Sequence, residues 1–341
     1  MEKQLALFAP PERARTGTEV VPAAASDALE ALGRLLPDDV RAGTSSWAFP
    51  GWGGLVYDRP YAEPILARFG LAAYSHHPVL RAVGIDRTYY APLSASAFAA
   101  YANQVPEGFR FLVKAPSAVT DGALRGERGK AIGPNRRFLD AQLALESFVR
   151  PALDGLGAKA GPLVFQLSPL GRETAHDPRA LVERLRQFFA ALRRALTAEG
   201  RSDALLAVEL RDPDLLGEVL AEALAESGTR YCFGVHARMP SIAAQAAALS
   251  RLPRGPFVAR WNLHAGYAYE QAKERYAPFD RLVDEDPETR SALVRLCVEA
   301  VAAGQPAFVI ANNKAEGSAP LTIVKFAEAL VGAVRQHETT T

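Results

Sequence analysis

Short, almost continuously apolar runs recur along the chain and alternate with longer stretches of helical periodicity. Apolar runs without a polar alternation are typical of parallel strands that are buried on both faces of a sheet. Eight runs are predicted as strands, at residues 40–45, 82–86, 109–114, 163–167, 205–210, 230–236, 257–261 and 307–311. Helices are predicted between them, at residues 60–69, 94–103, 135–153, 177–199, 212–226, 241–249, 287–303 and 319–334.

Two connections are too long for simple turns. Residues 115–134 are rich in glycine and charge, and residues 262–286 are rich in aromatic and charged side chains. Loops of this length in a compact domain are usually functional or mobile.

The alternation favours one closed (β/α)8 barrel of the TIM type over a doubly wound open sheet, which is the alternative. Gly43 stands alone after the first strand, so the glycine fingerprint of a dinucleotide fold is missing. The predicted domains are a largely flexible extension at 1–38, the barrel at 39–335 and a tail at 336–341, with a short docked or transient helix at 26–36.

The extension carries one segment of interest, Gln4-Leu5-Ala6-Leu7-Phe8. It resembles the pentapeptide with which many bacterial proteins bind the DNA sliding clamp. Leu5, Leu7 and Phe8 would contribute apolar contacts and Gln4 a hydrogen bond at the rim of the clamp pocket. The alternative is an apolar tail that packs on its own domain.

Charge and composition exclude several classes of protein. Thirty-nine basic and 38 acidic residues leave a net charge of +1, so no overall field attracts nucleic acid or membrane. Cys232 and Cys297 lie in apolar patterns and are expected to be buried, reduced thiols. The chain shows neither a signal peptide nor a membrane-length apolar run, and a cytoplasmic protein is expected.

An ordered set of short motifs between residues 41 and 334 resembles the YecE-like proteins, the family of domain of unknown function 72. The set comprises Gly43-Thr44-Ser45-Ser46-Trp47 with Trp52 and Tyr57, Thr88-Tyr89-Tyr90, Phe111-Leu112-Val113-Lys114, Gly161-Pro162-Leu163 with Gln166-Leu167, Val208-Glu209-Leu210-Arg211, Arg260, and Asn312-Asn313 with Gly317 and Ala319. The resemblance implies a TIM-type barrel and no established reaction. Gly84 replaces a usual glutamate and Asn262 a usual histidine, so the chain looks like a divergent branch.

In a barrel, the carboxyl ends of all strands converge on one face, where barrel enzymes place their active sites. Lys114 and Glu209 are predicted as a catalytic acid–base pair for a hydrolase- or lyase-type reaction. The predicted ligand-binding residues around them are Ser45, Trp47, Asp86, Tyr90, Gln166, Arg211, His236, Arg260, Trp261, Asn312 and Asn313.

Each assignment has a structural alternative. Lys114 and Glu209 could form an ion pair with Arg211 that binds nothing, and Arg211 and Arg260 could be anion clamps or partners of Glu209 and Asp86. Asn312 and Asn313 could cap a loop, and the tryptophans could be rim packing. No cofactor is expected. His76, His77, His236 and His264 have no spacing that would hold a metal, so a divalent ion remains only an alternative.

The function that follows is an enzyme that binds a small anionic or polyhydroxyl ligand in a pocket of mixed charge. Two alternatives from other classes remain. The first is a DNA-maintenance factor tethered to the sliding clamp, and the second is a scaffold without catalytic activity.

Overall fold

Eight parallel strands close into a barrel in a computed structural model that describes residues 19–126, 130–169, 177–264 and 266–340. The strands of the described chain are β1 Val40–Thr44, β2 Ala82–Ile85, β3 Arg110–Lys114, β4 Ala123–Arg125, β5 Ala131–Pro134, β6 Ala160–Gln166, β7 Leu206–Glu209, β8 Arg230–Val235, β9 Phe257–Trp261 and β10 Ala307–Ala311. Around the barrel the order is β1, β2, β3, β6, β7, β8, β9, β10 and back to β1. The prediction of a TIM-type barrel is confirmed.

Helices follow the strands on the outside of the barrel. They are α1 Asp27–Leu35, α2 Glu63–Tyr74, α3 Ala95–Ala102, α4 Ser117–Thr120, α5 Ala141–Ala144, α6 Arg150–Leu156, α7 Pro178–Ala198, α8 Glu218–Glu226, α9 Ile242–Ala248, α10 Tyr269–Tyr276, α11 Pro287–Ala302 and α12 Ala319–Thr340. Short 3-10 turns lie at Pro50–Trp52, Arg87–Tyr89, Gly157–Lys159 and Pro213–Leu215. None of the described helices is long and apolar enough to cross a membrane.

The helix predicted at 135–153 is interrupted. It begins only after Asp140, whose side chain accepts a hydrogen bond from the Leu143 amide at 2.9 Å, and a π-helical turn at Leu145–Val149 separates α5 from α6. Pro151 stands at the start of α6. Because proline has no amide hydrogen and its ring collides with the preceding turn, the regular α-helical ladder cannot continue through it.

Residues 19–36, which include the predicted helix at 26–36, are docked on the barrel. Val20 is buried, and Pro22 forms a β-bridge with Tyr57. The Arg81 guanidinium donates to the Gly33 carbonyl at 2.6 Å and so attaches α1 to the start of β2. The proposed clamp-binding segment, residues 4–8, lies outside the described residues. At the other end of the chain, α12 continues past the predicted end at Val334 to Thr340.

Both long connections contain regular structure at the carboxyl ends of the strands. After β3, β4 and β5 pair as an antiparallel hairpin, and the Asp121 carboxylate binds Arg125 at its base. After β9, the connection contains α10.

A buried cluster inside the barrel is separate from the core between the strands and the helices. Its members are Ala82, Leu112, Val164, Ala207, Cys232, Val258, Phe308 and Ile310. Cys232 and Cys297 are both buried free thiols, as predicted. Side chains two residues apart on a strand point the same way. This apolar layer therefore determines which residues face the mouth of the barrel, which is the open end of its interior at the carboxyl ends of the strands.

The first strand approaches β2 so closely that only glycine fits at position 43. A Cβ atom there would lie 1.8 Å from the Ala82 carbonyl oxygen. We expect Gly43→Ala to lower the free energy of unfolding by about 2–3 kcal/mol, because the backbones of two paired strands must separate. Urea denaturation measures this change.

The matched control is Gly332→Ala in α12, where an added Cβ meets no atom within 4 Å. Alanine stabilises a helix relative to glycine, so this variant should gain up to about 1 kcal/mol. Equal stability of Gly43→Ala and the parent would contradict the close approach of β1 and β2.

Candidate functional site

The polar residues of the mouth lie in phase with the apolar layer of the barrel interior. Counting onward from the buried cluster in steps of two residues leads after one step to Lys114, Gln166, Glu209, Arg260 and Asn312, and after two steps to Asp86 and His236. Ser45 follows Gly43 in the same way on β1. Eight predicted site residues therefore project toward one end of the barrel interior.

Arg260 on β9 lies at the centre of this set. Its Nη2 donates to both carboxylate oxygens of Asp86 at 2.8 Å. Its Nη1 donates to Glu209 Oε2 at 2.7 Å and to Gln166 Oε1 at 3.1 Å. The side chain is 3% exposed, and the charges of Asp86 and Glu209 outweigh the effect of burial and raise its pKa. The guanidinium therefore joins β9 to three other strand ends.

Glu209 on β7 is fully buried and occupied on both oxygens. Its Oε1 lies 2.5 Å from Arg211 Nη2 and accepts a hydrogen bond from Asn262 Nδ2 at 2.9 Å. Burial alone would raise the pKa of Glu209, but the charges of Arg211 and Arg260 lower it to about 2. A carboxylate held in this way stays ionised near neutral pH, which does not favour its predicted role as a general acid. The structural alternative, an ion pair with Arg211, is what the geometry supports.

Lys114 on β3 does not pair with Glu209. Its ammonium lies 3.8 Å from the centre of the Tyr89 ring, and none of the ion pairs in the described part of the chain includes it. The Tyr89 hydroxyl is 2.9 Å from Ser168 Oγ, which holds the ring in position. Burial, together with repulsion from Arg260, lowers the pKa of Lys114 to about 8.

A second lysine, absent from the sequence-based prediction, occupies a similar environment after β10. Lys314 Nζ donates to Asn312 Oδ1 at 3.1 Å and lies 4.2 Å from the centre of the Tyr269 ring. Asn312 also donates to Ser45 Oγ at 2.8 Å, which links β10 to β1. Burial and the charge of Lys273 lower the pKa of Lys314 to about 8. Its position two residues beyond Asn312 was the one sequence signal that could have identified it.

Four of the predicted ligand-binding residues have other environments. Tyr90 is 85% exposed, and the neighbouring Tyr89 contacts Lys114 instead. Trp47 and Trp261 are buried in the core between strands and helices, and Trp47 donates to the Leu66 carbonyl at 3.1 Å. Trp261 is out of phase with Val258 and Arg260 on β9, and Trp47 lies beyond the end of β1.

Asn313 is the fourth of these residues. It caps the turn before α12, because its Oδ1 accepts hydrogen bonds from the Ala319 amide at 2.8 Å and from Trp52 Nε1 at 3.2 Å. The loop-capping and packing alternatives therefore describe Asn313 and the tryptophans.

His236 and His76 lie at opposite ends of the barrel. His236 Nδ1 accepts a hydrogen bond from the Arg238 amide at 3.2 Å, and burial with the nearby Arg211 charge lowers the pKa of His236 to about 4. His76 bonds to the Ala72 carbonyl at the end of α2 that leads into β2, the opposite end of the barrel. Among the described residues, no three His, Cys, Asp or Glu side chains lie together in a way that could hold a metal ion.

The charges of the mouth do not balance. The carboxylates of Asp86 and Glu209 are paired with the guanidiniums of Arg211 and Arg260, and Lys114 and Lys314 add two further positive charges. No carboxylate in the described residues lies within ion-pair distance of either ammonium group. The described part of the mouth therefore carries a net positive charge.

These features define a TIM-type barrel with a polar, net positive site at the carboxyl ends of its strands. The chain belongs to the family described as protein of unknown function DUF72, whose model matches residues 41–341. The resemblance inferred from the motifs is thereby confirmed.

Solved structures of the same family share the fold. A DUF72 protein from Enterococcus faecalis V583 matches with a TM-score of 0.54 at 18% identity, over 85% of this chain and 95% of that one. A DUF72 protein from Thermotoga maritima MSB8 matches with a TM-score of 0.51 at 19% identity, over 85% of this chain and 98% of that one. Comparison with curated proteins gave no match.

Glu209→Gln tests the central network. The amide leaves Arg211 and Arg260 buried with one balancing charge fewer, so we expect the free energy of unfolding to fall by about 3–5 kcal/mol at neutral pH. The folded-state pKa of Glu209 is about 2, below the ordinary 4.5. Its contribution is therefore complete above pH 4.5 and is lost as the pH falls toward 2, where parent and variant should converge.

Denaturant titrations between pH 7 and pH 2.5 measure this difference. Glu222→Gln is the control, because Glu222 lies on the exposed surface of α8 and its ion pair with Arg251 has an N···O distance of 3.4 Å. A Glu209→Gln protein as stable as the control protein would show that the network does not stabilise the barrel.

Proposed function

We propose that the mouth of the barrel binds a small ligand through an anionic group that contacts the Lys114 ammonium. The observation that carries the proposal is the ammonium of Lys114, half-buried over Tyr89 without a carboxylate partner among the described residues. Placing an unpaired charge in a partly desolvated site is unfavourable, and an anionic ligand would compensate that cost.

The arginines do not take the role of anion clamps in this proposal. Arg260 uses both terminal nitrogens on Asp86, Glu209 and Gln166, and Arg211 binds Glu209. A ligand anion would have to displace a buried carboxylate to reach either guanidinium. The arginines therefore shape the site, while the lysines supply its free charge.

Lys114 is also the group best suited to catalysis. With a pKa of about 8, roughly one amine in ten is neutral at pH 7 and able to act as a base or nucleophile. The Asp86 side chain is 35% exposed and is the nearby carboxylate that a ligand can reach. We therefore propose an enzyme in which the neutral amine of Lys114 takes a proton from the ligand as a general base and thereby becomes the ammonium that pairs with the anionic group, as in a lyase-type reaction.

Lys114→Met separates binding from stability. Anion binding should weaken at least tenfold, while the free protein should gain about 1 kcal/mol at pH 7, because a desolvated charge is replaced by an apolar chain of similar length. The folded-state pKa of Lys114 lies below its ordinary value of 10.5. The destabilisation of the folded state by the buried ammonium charge is therefore complete below pH 8 and disappears as the pH rises toward 10.5. The gain should vanish over that interval.

Thermal-shift titration with inorganic phosphate and sugar phosphates measures binding, and urea denaturation at pH 7 and pH 10.5 measures stability. Lys325→Met is the control, because Lys325 lies on the exposed face of α12 beside Glu328. Unchanged anion binding in Lys114→Met would refute the proposed site.

A second candidate function rests on the amino-terminal segment. The residues Gln4, Leu5, Leu7 and Phe8 match the pattern of a sliding-clamp ligand. We propose on that ground that the segment tethers the barrel to the clamp, since an extended peptide with two apolar anchors can bind a pocket of a partner.

The full chain and a Leu7→Ala/Phe8→Ala double variant test the tether against purified bacterial sliding clamp by fluorescence anisotropy. Micromolar binding by the parent and at least tenfold weaker binding by the variant is the expected result. No binding by the parent, or equal binding by both proteins, would eliminate the tether.

A further inference from the structure

Lys314 repeats the surroundings of Lys114 on the other side of the mouth. Each ammonium lies over a tyrosine ring, at 3.8 Å from Tyr89 for Lys114 and at 4.2 Å from Tyr269 for Lys314. Each lacks an ion-pair partner among the described residues. One bound anion would compensate only one of the two charges.

The two ammonium groups are separated along the barrel wall. In the barrel order, β10 and β3 are three strand spacings apart, through β1 and β2. With neighbouring strands about 4.8 Å apart, their ends lie on the order of 14 Å apart along the wall, and less across the interior. The two lysines therefore extend from well-separated parts of the wall, Lys114 from the end of β3 and Lys314 from three residues beyond the end of β10.

Asp86 lies between the two lysines. It follows β2, and its charge raises the pKa of both Lys114 and Lys314 against the larger effect of burial. Arg260 holds the carboxylate in place, and the part of it that remains exposed can accept hydrogen bonds. The mouth therefore presents positive, negative and positive charge in sequence.

We infer that this mouth takes a polyhydroxyl compound with an anionic group at each end, one bound by Lys114 and the other by Lys314, whose hydroxyls donate to Asp86. The inference rests on the proposed function and specifies its ligand. Hydroxyl donors suit a carboxylate, whereas a dense polyanion would be repelled by Asp86. The faces of Tyr89 and Tyr269 provide apolar walls for the carbon skeleton of such a ligand.

The anionic groups at the two ends of the ligand can be phosphates or carboxylates, and a set of matched compounds distinguishes these two chemistries. The probes are fructose 1,6-bisphosphate, fructose 6-phosphate, galactarate and hexanedioate, titrated calorimetrically into the full-length protein. We expect fructose 1,6-bisphosphate or galactarate to bind at least tenfold more tightly than fructose 6-phosphate. Hexanedioate, which has two anions but no hydroxyls, should bind at least fivefold more weakly than galactarate.

Substitutions of Lys314 and Lys273 test where the second anionic group of the ligand binds. Lys314→Met should reduce the affinity for the two-ended ligand to that of fructose 6-phosphate, and Lys314→Arg, which keeps the charge, should retain most of it. Lys273→Met is the matched control. Lys273 is another lysine close enough to shift the pKa of Lys314, but it is exposed beside Glu270, and its loss should change affinity less than twofold.

The results separate this inference from the proposed function. If ligands with one and with two anionic groups bind with equal affinity and both lose binding in Lys114→Met, that result would support the anion site at Lys114. It would overturn the inference that the ligand has an anionic group at each end. Equal weakening by Lys314→Met and Lys273→Met would also overturn it, since the effect would then be general electrostatics. Failure of every anion to bind would overturn both proposals. The comparison of ligands in the parent protein holds even if a variant does not fold.

Discussion

A guanidinium buried between two carboxylates organises this barrel. Arg260 is 3% exposed and Glu209 is fully buried, so neither charge could remain in the interior without the other. Removing such ions from water costs several kcal/mol each, and only close, fully hydrogen-bonded pairing offsets that cost. The contacts of Arg260 with Asp86, Gln166 and Glu209 therefore hold four strand ends in one arrangement.

The same network determines which charges remain for a ligand. Glycine at position 234 leaves room for it, since a Cβ there would lie 3.0 Å from Glu209 Oε1 and 3.1 Å from Arg211 Nη1. Asp86 and Glu209 are paired with arginines, and neither carboxylate forms an ion pair with Lys114 or Lys314. Among the described residues both ammonium groups therefore stay without an ion-pair partner, in partly desolvated positions over tyrosine rings. In the proposed function, an anionic ligand would pair with these ammonium groups while the carboxylates kept their arginine partners.

Helices and strands were predicted correctly where the local sequence pattern determines them. Features that depend on contacts between residues far apart in the chain were not predicted. The strands at Phe257–Trp261 and Ala307–Ala311 were predicted to the residue, because their apolar runs are bounded by polar or turn-forming neighbours. The helix at 26–36 was predicted as docked or transient, but the partners that hold residues 19–36 were not predicted, because Tyr57 and Arg81 lie in parts of the chain that the local sequence does not reveal. The interruption of the helix at 135–153 had a local cause in Pro151 that the apolar spacing concealed.

By itself the sequence determined the barrel and the polar strand ends, because strand periodicity and burial are local properties of five or six residues. It also named Arg260, Glu209, Asp86 and Lys114, but it gave the pairing of Arg260 with the carboxylates only as one of two alternatives. Arg260 bonds to residues 51 and 174 positions away, and only closure of the barrel decides which of the polar ends meet. Tertiary structure thus placed Glu209 between Arg211 and Arg260, and it added Lys314, whose ammonium lies over a ring carried by another element. Which polar side chains pair depends on their distance in space, and their separation along the chain does not determine that distance.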